Sequence, residues 1–379
     1  MGFSRKTPQI VSGFELYGRN DLIAKQFVPK LFQSIGDFSG FFWSIDMVQF
    51  SKHPANPVIR RTPGTFFAKH AANPDLLEFA GTCFLYFRGQ DARGHDEIGV
   101  AHTSRSAFDG VSWTIPAENP IIRVSPDPAE FDSGYILDPA AIIIGGKIYL
   151  YYTVHRADWQ SWNTPSHIGL AVSDGGFHFE KSGNNPIIEG MAPEIIQHAG
   201  IFRLFFQRLC EDRTHFEIWC CTSPEGVHFS AADARIVFRP SGEAEAFDRC
   251  SISTVRIWHE HDWFYMTYGG CPKFIDYPAA IGLARSRDLR HWERYPGNPI
   301  LAAGTPGAWD EGALWFATVF KMNSTYYLWY EGTGTASSLS NSEGREISRL
   351  CRQENYGGYG ITSFSQIGLA SFKGEIPDW

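Results

Sequence analysis

Apolar positions along the chain fall in short runs bounded by Gly, Pro, Asn and Asp, the pattern of strands and tight turns. The stretch GYILDPAAIIIGGKIYLYYT, Gly134 to Thr153, joins an apolar run to an aromatic-rich run through a Gly-Gly turn, and its single acid is Asp138. This stretch recurs. FDSGYILDPAAIIIGGKIYLYY from Phe131 aligns without gaps to FDRCSISTVRIWHEHDWFYMTY from Phe247 and to WDEGALWFATVFKMNSTYYLWY from Trp309, with shorter relatives at Asn73 and Ala192. A second phrase, IGLAVSDGGFHFEKSGNNPII from Ile168, returns from Ile281 and more loosely from Ile98 and Ile218. Its first half closes the chain at Ile367, and its second half, HPANPVI, ends at Ile59.

Each unit therefore reads as four strands: an apolar strand A, a Tyr/Phe-rich strand B, strand C (IGLA) and a strand D leading into NPII. Five A–B–C units are present but only four D strands follow them, so the segment around Ser51 to Ile59 is expected to supply the fifth. This predicts an all-β chain: a five-bladed β-propeller of four-stranded antiparallel blades over residues 41–379, its ring closed by an N-terminal strand. Residues 1–40 fall outside the repeat and read as an extension, with a short helix expected in DLIAKQFVPKLFQSIG. The A-to-B and C-to-D turns are short, whereas the B-to-C loops from Val154, Gly269 and Gly332 are long. Those loops share an end with the start of strand A, which marks that end as the working one.

Composition narrows the function. The chain of 379 residues carries a formal net charge of -8 with no basic stretch, which argues against nucleic acid and suits a neutral substrate. No run approaches the length of a membrane span, and the N-terminus lacks an apolar signal core. Seven cysteines without a CxxC pair read as reduced thiols in a cytoplasmic protein.

With the A strands aligned on Leu85, Leu150 and Leu204 of strand B, Asp138 matches Asn73 and Ala192, while Asp75 and Glu194 match each other two positions later. A shift of two keeps the same face of a strand, so units one to three each carry one acid near the start of the innermost strand. Units four and five hold Thr254 and Phe316 in the register of Asp138. Two readings are open for Asp75, Asp138 and Glu194: carboxyls converging on a catalytic site, or buried acids satisfied by backbone and Arg partners. By contrast Asp132, Asp248 and Asp310 repeat in register after Phe or Trp, which reads as structural bonding to backbone N–H groups. Converging carboxyls with no evident nucleophilic Ser or Cys suit glycoside hydrolysis, where one acid protonates the leaving oxygen and another activates water or attacks carbon.

The layout resembles glycoside hydrolase family 43 and its five-bladed relatives in families 32, 62, 68, 117 and 130. LDPAAIIIGGKIYLYY is similar to the Asp-Pro strand of those families, and MAPEIIQHAGIFRLFF to their strand with an acid beside Ala-Pro; the IGLA…NPI phrase is shared with them. The resemblance covers about residues 40 to 379 and implies an inverting hydrolase with a general-base Asp, a pKa-modulating Asp and a general-acid Glu, carried over by unit order to Asp75, Asp138 and Glu194. The sequence departs from that pattern where Asn73 stands for the Asp before Pro, and where Met191 stands for the Glu two before Pro. Asp46, Asp248 and Glu311 are then alternative third carboxylates. For inversion the acid and base carboxyls should stand about 6.5–9.5 Å apart.

Substrate contacts are expected from Arg88 and Glu331 at the ends of B strands, from His155 and Arg208, and from Trp159 and Trp162 stacking on sugar faces. Family 43 implies an axial calcium with a His nearby, but no Asp-rich calcium loop is present, so no metal or other cofactor is expected. The expected substrate is an oligosaccharide or glycoside, a furanoside or pentoside first. Two alternatives stay open: a family-130-like phosphorylase, for which Arg88, His155 and Arg208 would supply cationic groups, and a carbohydrate-binding propeller, for which equivalent pockets in every unit would be expected.

Overall fold

In the computed structural model, residues 47–159, 164–273, 275–335 and 363–379 are described, all of them within one compact unit. The described chain is all-β apart from two short 3-10 turns; its strands pair antiparallel within each unit, and one parallel pairing, His70 with Ser365, joins the sheets of units one and five. The expected extension, Asp46, Trp162 and the helix in residues 1–40 lie outside the described residues.

Five A strands are found at His70–Phe79, Tyr135–Ile144, Met191–His198, Ser251–Glu260 and Leu314–Met322. Each pairs with a B strand: Thr82–Gln90, Lys147–His155, Ile201–Leu209, Trp263–Cys271 and Thr325–Thr335. Each B strand pairs in turn with a C strand: Asp96–Ser104, His167–Ser173, Phe216–Ser223, Ala280–Ser286 and Ser363–Lys373. Apolar clusters lie between units one and two, two and three, three and four, four and five, and five and one. Side-chain alternation explains why the B strands are apolar throughout. Leu85 and Phe87 face unit five while Phe84 and Tyr86 face unit two, so both faces are buried.

Strand D is more broken than the repeat predicts. In units two and four it is two short pieces, Glu180–Lys181 with Ile188–Glu189 and Glu293–Arg294 with Leu301–Ala302; in unit one it is reduced to isolated bridges at Thr114 and Ile122. The Asn-Pro pair is the reason. Proline has no N–H for the ladder, and the Asn before it substitutes its side chain, accepting from and donating to one residue of strand C. Asn119 does so with Val100, Asn185 with Leu170 and Asn298 with Leu283, at 2.7–3.0 Å. In the N-terminal segment Asn56 makes the same pair of bonds to Leu369, and Ser51–Lys52 pairs with Ala370 and Ser371 of the last C strand.

The in-register acids Asp132, Asp248 and Asp310 are also structural, but their side chains meet cations rather than the expected backbone N–H groups. Lys181, Arg294 and Lys52 stand 2.6–2.7 Å from them, and Tyr268 and Tyr330 donate to Asp248 and Asp310. Each cation sits in the D position of its unit, and Lys52 of the N-terminal segment fills that position for unit five.

Candidate active site

Every A strand slips register against its B strand near its start, and at each slip one residue adopts a left-handed backbone: Asn73 (φ 50°), Asp138 (55°), Ala192 (50°), Thr254 (34°) and Phe316 (47°). Asn and Asp tolerate this conformation best among residues with a side chain, whereas Thr and Phe carry strain of about 1–3 kcal/mol. The bulge bends the strand and re-aims its side chain. Among these five positions the sole acid is Asp138, so its place at the head of an apolar strand is the bulge position itself.

Asp138 is buried, 6% exposed. Burial raises its carboxyl to about 6, opposed by a hydrogen bond from Thr153 and by Arg88 and Arg256, and reinforced by Asp276. Thr153 also accepts the Ala192 N–H at 2.7 Å, which fixes its hydroxyl. Glu331, three positions past the reference Leu328 of strand B, is pushed up to about 7 by burial, with Arg88 lowering and Asp138 raising it. Its carboxylate accepts from the Asn73 N–H at 3.1 Å and side-chain amide at 3.2 Å, and Ser365 Oγ donates to it at 2.5 Å. Asp276, in the long B-to-C loop of unit four, is raised by burial and accepts from Ser253 Oγ at 2.8 Å and Trp315 Nε1 at 3.3 Å.

Arg88 is ion-paired with Asp96, which Gln90 also contacts. His155 is held neutral, lowered to about 3 by burial with Arg88 adding to the effect; its Nδ1 lies 3.1 Å from Ser166 Oγ and its ring packs 4.5 Å from Trp159. Arg208 stands to one side, over the rings of Phe206 and Trp219, lining a small pocket of about 150 Å³ with Gln207, Met191 and Arg213.

Asp75 and Glu194 form a second group around Arg256. Arg256 Nε lies 3.3 Å from Asp75 and its Nη1 3.3 Å from Glu194, and its other N–H bonds go to the carbonyls of Pro139, Pro193 and Val255. Each acid also accepts a backbone N–H from the next A strand: Asp75 from Ala141 at 2.7 Å, Glu194 from Ile257 at 3.0 Å. Burial raises both carboxyls and Arg256 opposes it. Glu311 is apart from both groups, accepting the Gly307 N–H.

Arg256 and Asp276 are absent from the candidates read in the sequence. Arg256 was legible there: it lies two positions past Thr254, the register of Asp75 and Glu194, so the same alignment sets a cation among the acids. Asp276 sits in a loop with no repeat partner and leaves no such signal.

No protein-family model matches the chain. Two uncharacterized proteins of Mycobacterium tuberculosis are similar to it: one from strain CDC 1551 / Oshkosh at 26% identity over 66% of this chain and 83% of the relative, and one from strain ATCC 25618 / H37Rv at 25% with the same coverage. Among solved structures, an N-acetylgalactosamine deacetylase from F. plautii in complex with blood group B trisaccharide superposes with a TM-score of 0.63 at 14% identity, covering 86% of this chain and 95% of that one. A beta-1,2-mannobiose phosphorylase from Listeria innocua gives 0.61 at 14%, covering 86% and 96%. A thermostable family-43 glycoside hydrolase gives 0.55 at 15%, covering 82% and 91%. The fold is thus that of the propeller enzymes around glycoside hydrolase family 43.

Proposed function

We propose that this chain hydrolyses a glycosidic bond of a neutral oligosaccharide, a furanoside or pentoside first, and that Asp138 is the carboxyl that gives its proton to the leaving oxygen. The observation that carries the reading is the asymmetry of the bulge positions. One unit in five carries an acid there; Arg88, Arg256 and Asp276 act on that acid electrostatically, and it in turn acts on Glu331. A lectin-like propeller would repeat its pocket, and these positions do not repeat. Burial and like-charged neighbours hold the Asp138 proton, as a general acid requires. Asp276, whose carboxyl accepts from Ser253 and Trp315, is the carboxyl assigned to activate water; Glu331, pushed up to about 7, holds a proton more readily than Asp138 and is not given that role. Asp75 and Glu194 act as inter-unit clamps through Arg256 in this scheme, which reassigns the base and acid roles that unit order implied.

Water is favoured over phosphate because the cationic groups of the site are committed. Arg88 faces Asp96, Arg256 faces two acids and His155 is neutral. The architecture proposed with this function is a five-bladed ring. The cluster joining units five and one, together with Lys52–Asp310 and Asn56–Leu369, supports closure by the N-terminal segment.

The test is a panel of aryl arabinofuranosides, xylosides, galactosides and fructosides, with and without phosphate, on native protein and Asp138→Asn. Turnover in plain buffer that falls about 100-fold or more in the variant supports the proposal. Turnover that requires phosphate replaces hydrolysis with phosphorolysis, and activity unchanged in Asp138→Asn overturns the assignment of the acid.

A further inference from the structure

The B-to-C hairpin of unit three, CEDRTH from Cys210 to His215, gathers three side chains of metal-binding type that the proposed chemistry does not use. Cys210 Sγ lies 2.8 Å from Asp212 Oδ1 and 3.3 Å from His215 Nδ1, and the three donor atoms fall within 4.8 Å of one another. The backbone closes around the sulfur: Cys210 N–H donates to the His215 carbonyl at 2.9 Å and the His215 N–H points at Sγ at 3.3 Å. On the far side of the imidazole, His215 Nε2 stands 3.6 Å from Glu217 Oε1, a buried carboxylate that Arg239 anchors at 2.7 Å. A carboxylate behind the outer nitrogen is the usual support of a metal-ligating histidine.

We infer that Cys210, Asp212 and His215 form a binding site for a zinc-type divalent cation. Thiolate with imidazole selects a borderline-soft ion over calcium or magnesium. Bond lengths of about 2.3 Å to sulfur and about 2.0 Å to nitrogen or oxygen put tetrahedral donors roughly 3.5 Å apart, so the hairpin needs to open by only about half an ångström. Binding displaces the thiol proton of Cys210 to solvent, leaving a sulfur–metal bond and a fourth position for water. Because Arg213 and Phe216 also line the 150 Å³ pocket beside Gln207, the ion would brace one wall of that pocket. The other group of this type among the described residues, Glu260, His261 and Glu375, is different: Lys321 already stands between its two carboxylates.

The test is titration of tag-free, chelator-treated protein with Co²⁺ alone, followed by Zn²⁺ displacement. One equivalent is expected to bind with a thiolate-to-cobalt charge-transfer band, release of one proton, and loss of the band on adding Zn²⁺. Cys210→Ser should abolish the band, Asp212→Asn should weaken binding tenfold or more, Glu217→Gln by about 10–100-fold, and Cys250→Ser should leave it unchanged. Circular dichroism checks that each variant is folded; Asp212, being exposed, gives the variant least exposed to a folding defect. Absence of the band in native protein, or its persistence in folded Cys210→Ser or Asp212→Asn at native affinity, overturns the site.

Discussion

Arg256 and Glu194 meet at 3.3 Å across two neighbouring innermost strands, both buried, with Asp75 held on the other side of the same guanidinium. Three units are thus joined at their inner strands by one cation and two carboxylates. The rest of the guanidinium is spent on backbone carbonyls, and the Phe316 ring lies 4.8 Å beneath it.

Removing that cation leaves two buried carboxylates facing each other. Arg256→Met is expected to lower stability by about 3–5 kcal/mol. Urea unfolding of the two proteins at one pH measures this; a loss below about 1 kcal/mol would show that the acids are satisfied without Arg256.

Asp138→Asn and Glu194→Gln should separate chemistry from structure. The first keeps shape and removes the proton donor, so turnover falls about 100-fold or more while the melting temperature at neutral pH does not fall. The second turns an amide N–H₂ towards Arg256 and costs about 1–3 kcal/mol of stability. Thermal unfolding beside a turnover assay on each variant reads both effects, and the reverse pattern would return the acid's role to Glu194.

The raised carboxyl of Asp138 makes stability fall with rising pH. Its pKa in the folded protein, about 6, lies above the unfolded value near 4, so the folded state binds the extra proton in between. The favourable contribution is complete below about pH 4 and is lost as pH rises through about 6, a change of about 3 kcal/mol. Denaturant unfolding from pH 4 to 8 should therefore lose part of its downward slope in Asp138→Asn. Turnover should decline above about pH 6 as the donor ionises; a rate that rises through that range would make Asp138 a base.

Asn56 carries the ladder bonds of the N-terminal segment to Leu369, and Asn56→Ala is expected to cost about 1–3 kcal/mol. Amide hydrogen exchange should show faster exchange in the last C strand, beginning at the Leu369 N–H, while the A strands keep their protection.

The repeat, the order of strands, the short and long turns and the N-terminal partner for the last unit were all legible in the sequence. Each depends on local periodicity and on a phrase, Asn-Pro, whose side-chain bonding is the same wherever it recurs. The alignment also put Asn73, Asp138, Ala192, Thr254 and Phe316 in one register, the position where all five strands bulge. The sequence alone left open whether Asp75, Asp138 and Glu194 act as one set. Tertiary structure decided the partners: a two-residue shift along a strand moves a carboxyl from the bulge to the Arg256 clamp, and the cation there comes from a unit far along the chain. Asp96 reaches Arg88 through the register of one B–C hairpin, but Asp276 comes near Asp138 only through the packing of a loop, which no period in the sequence encodes. Burial set the protonation of these groups, since desolvation depends on what the whole chain places around them.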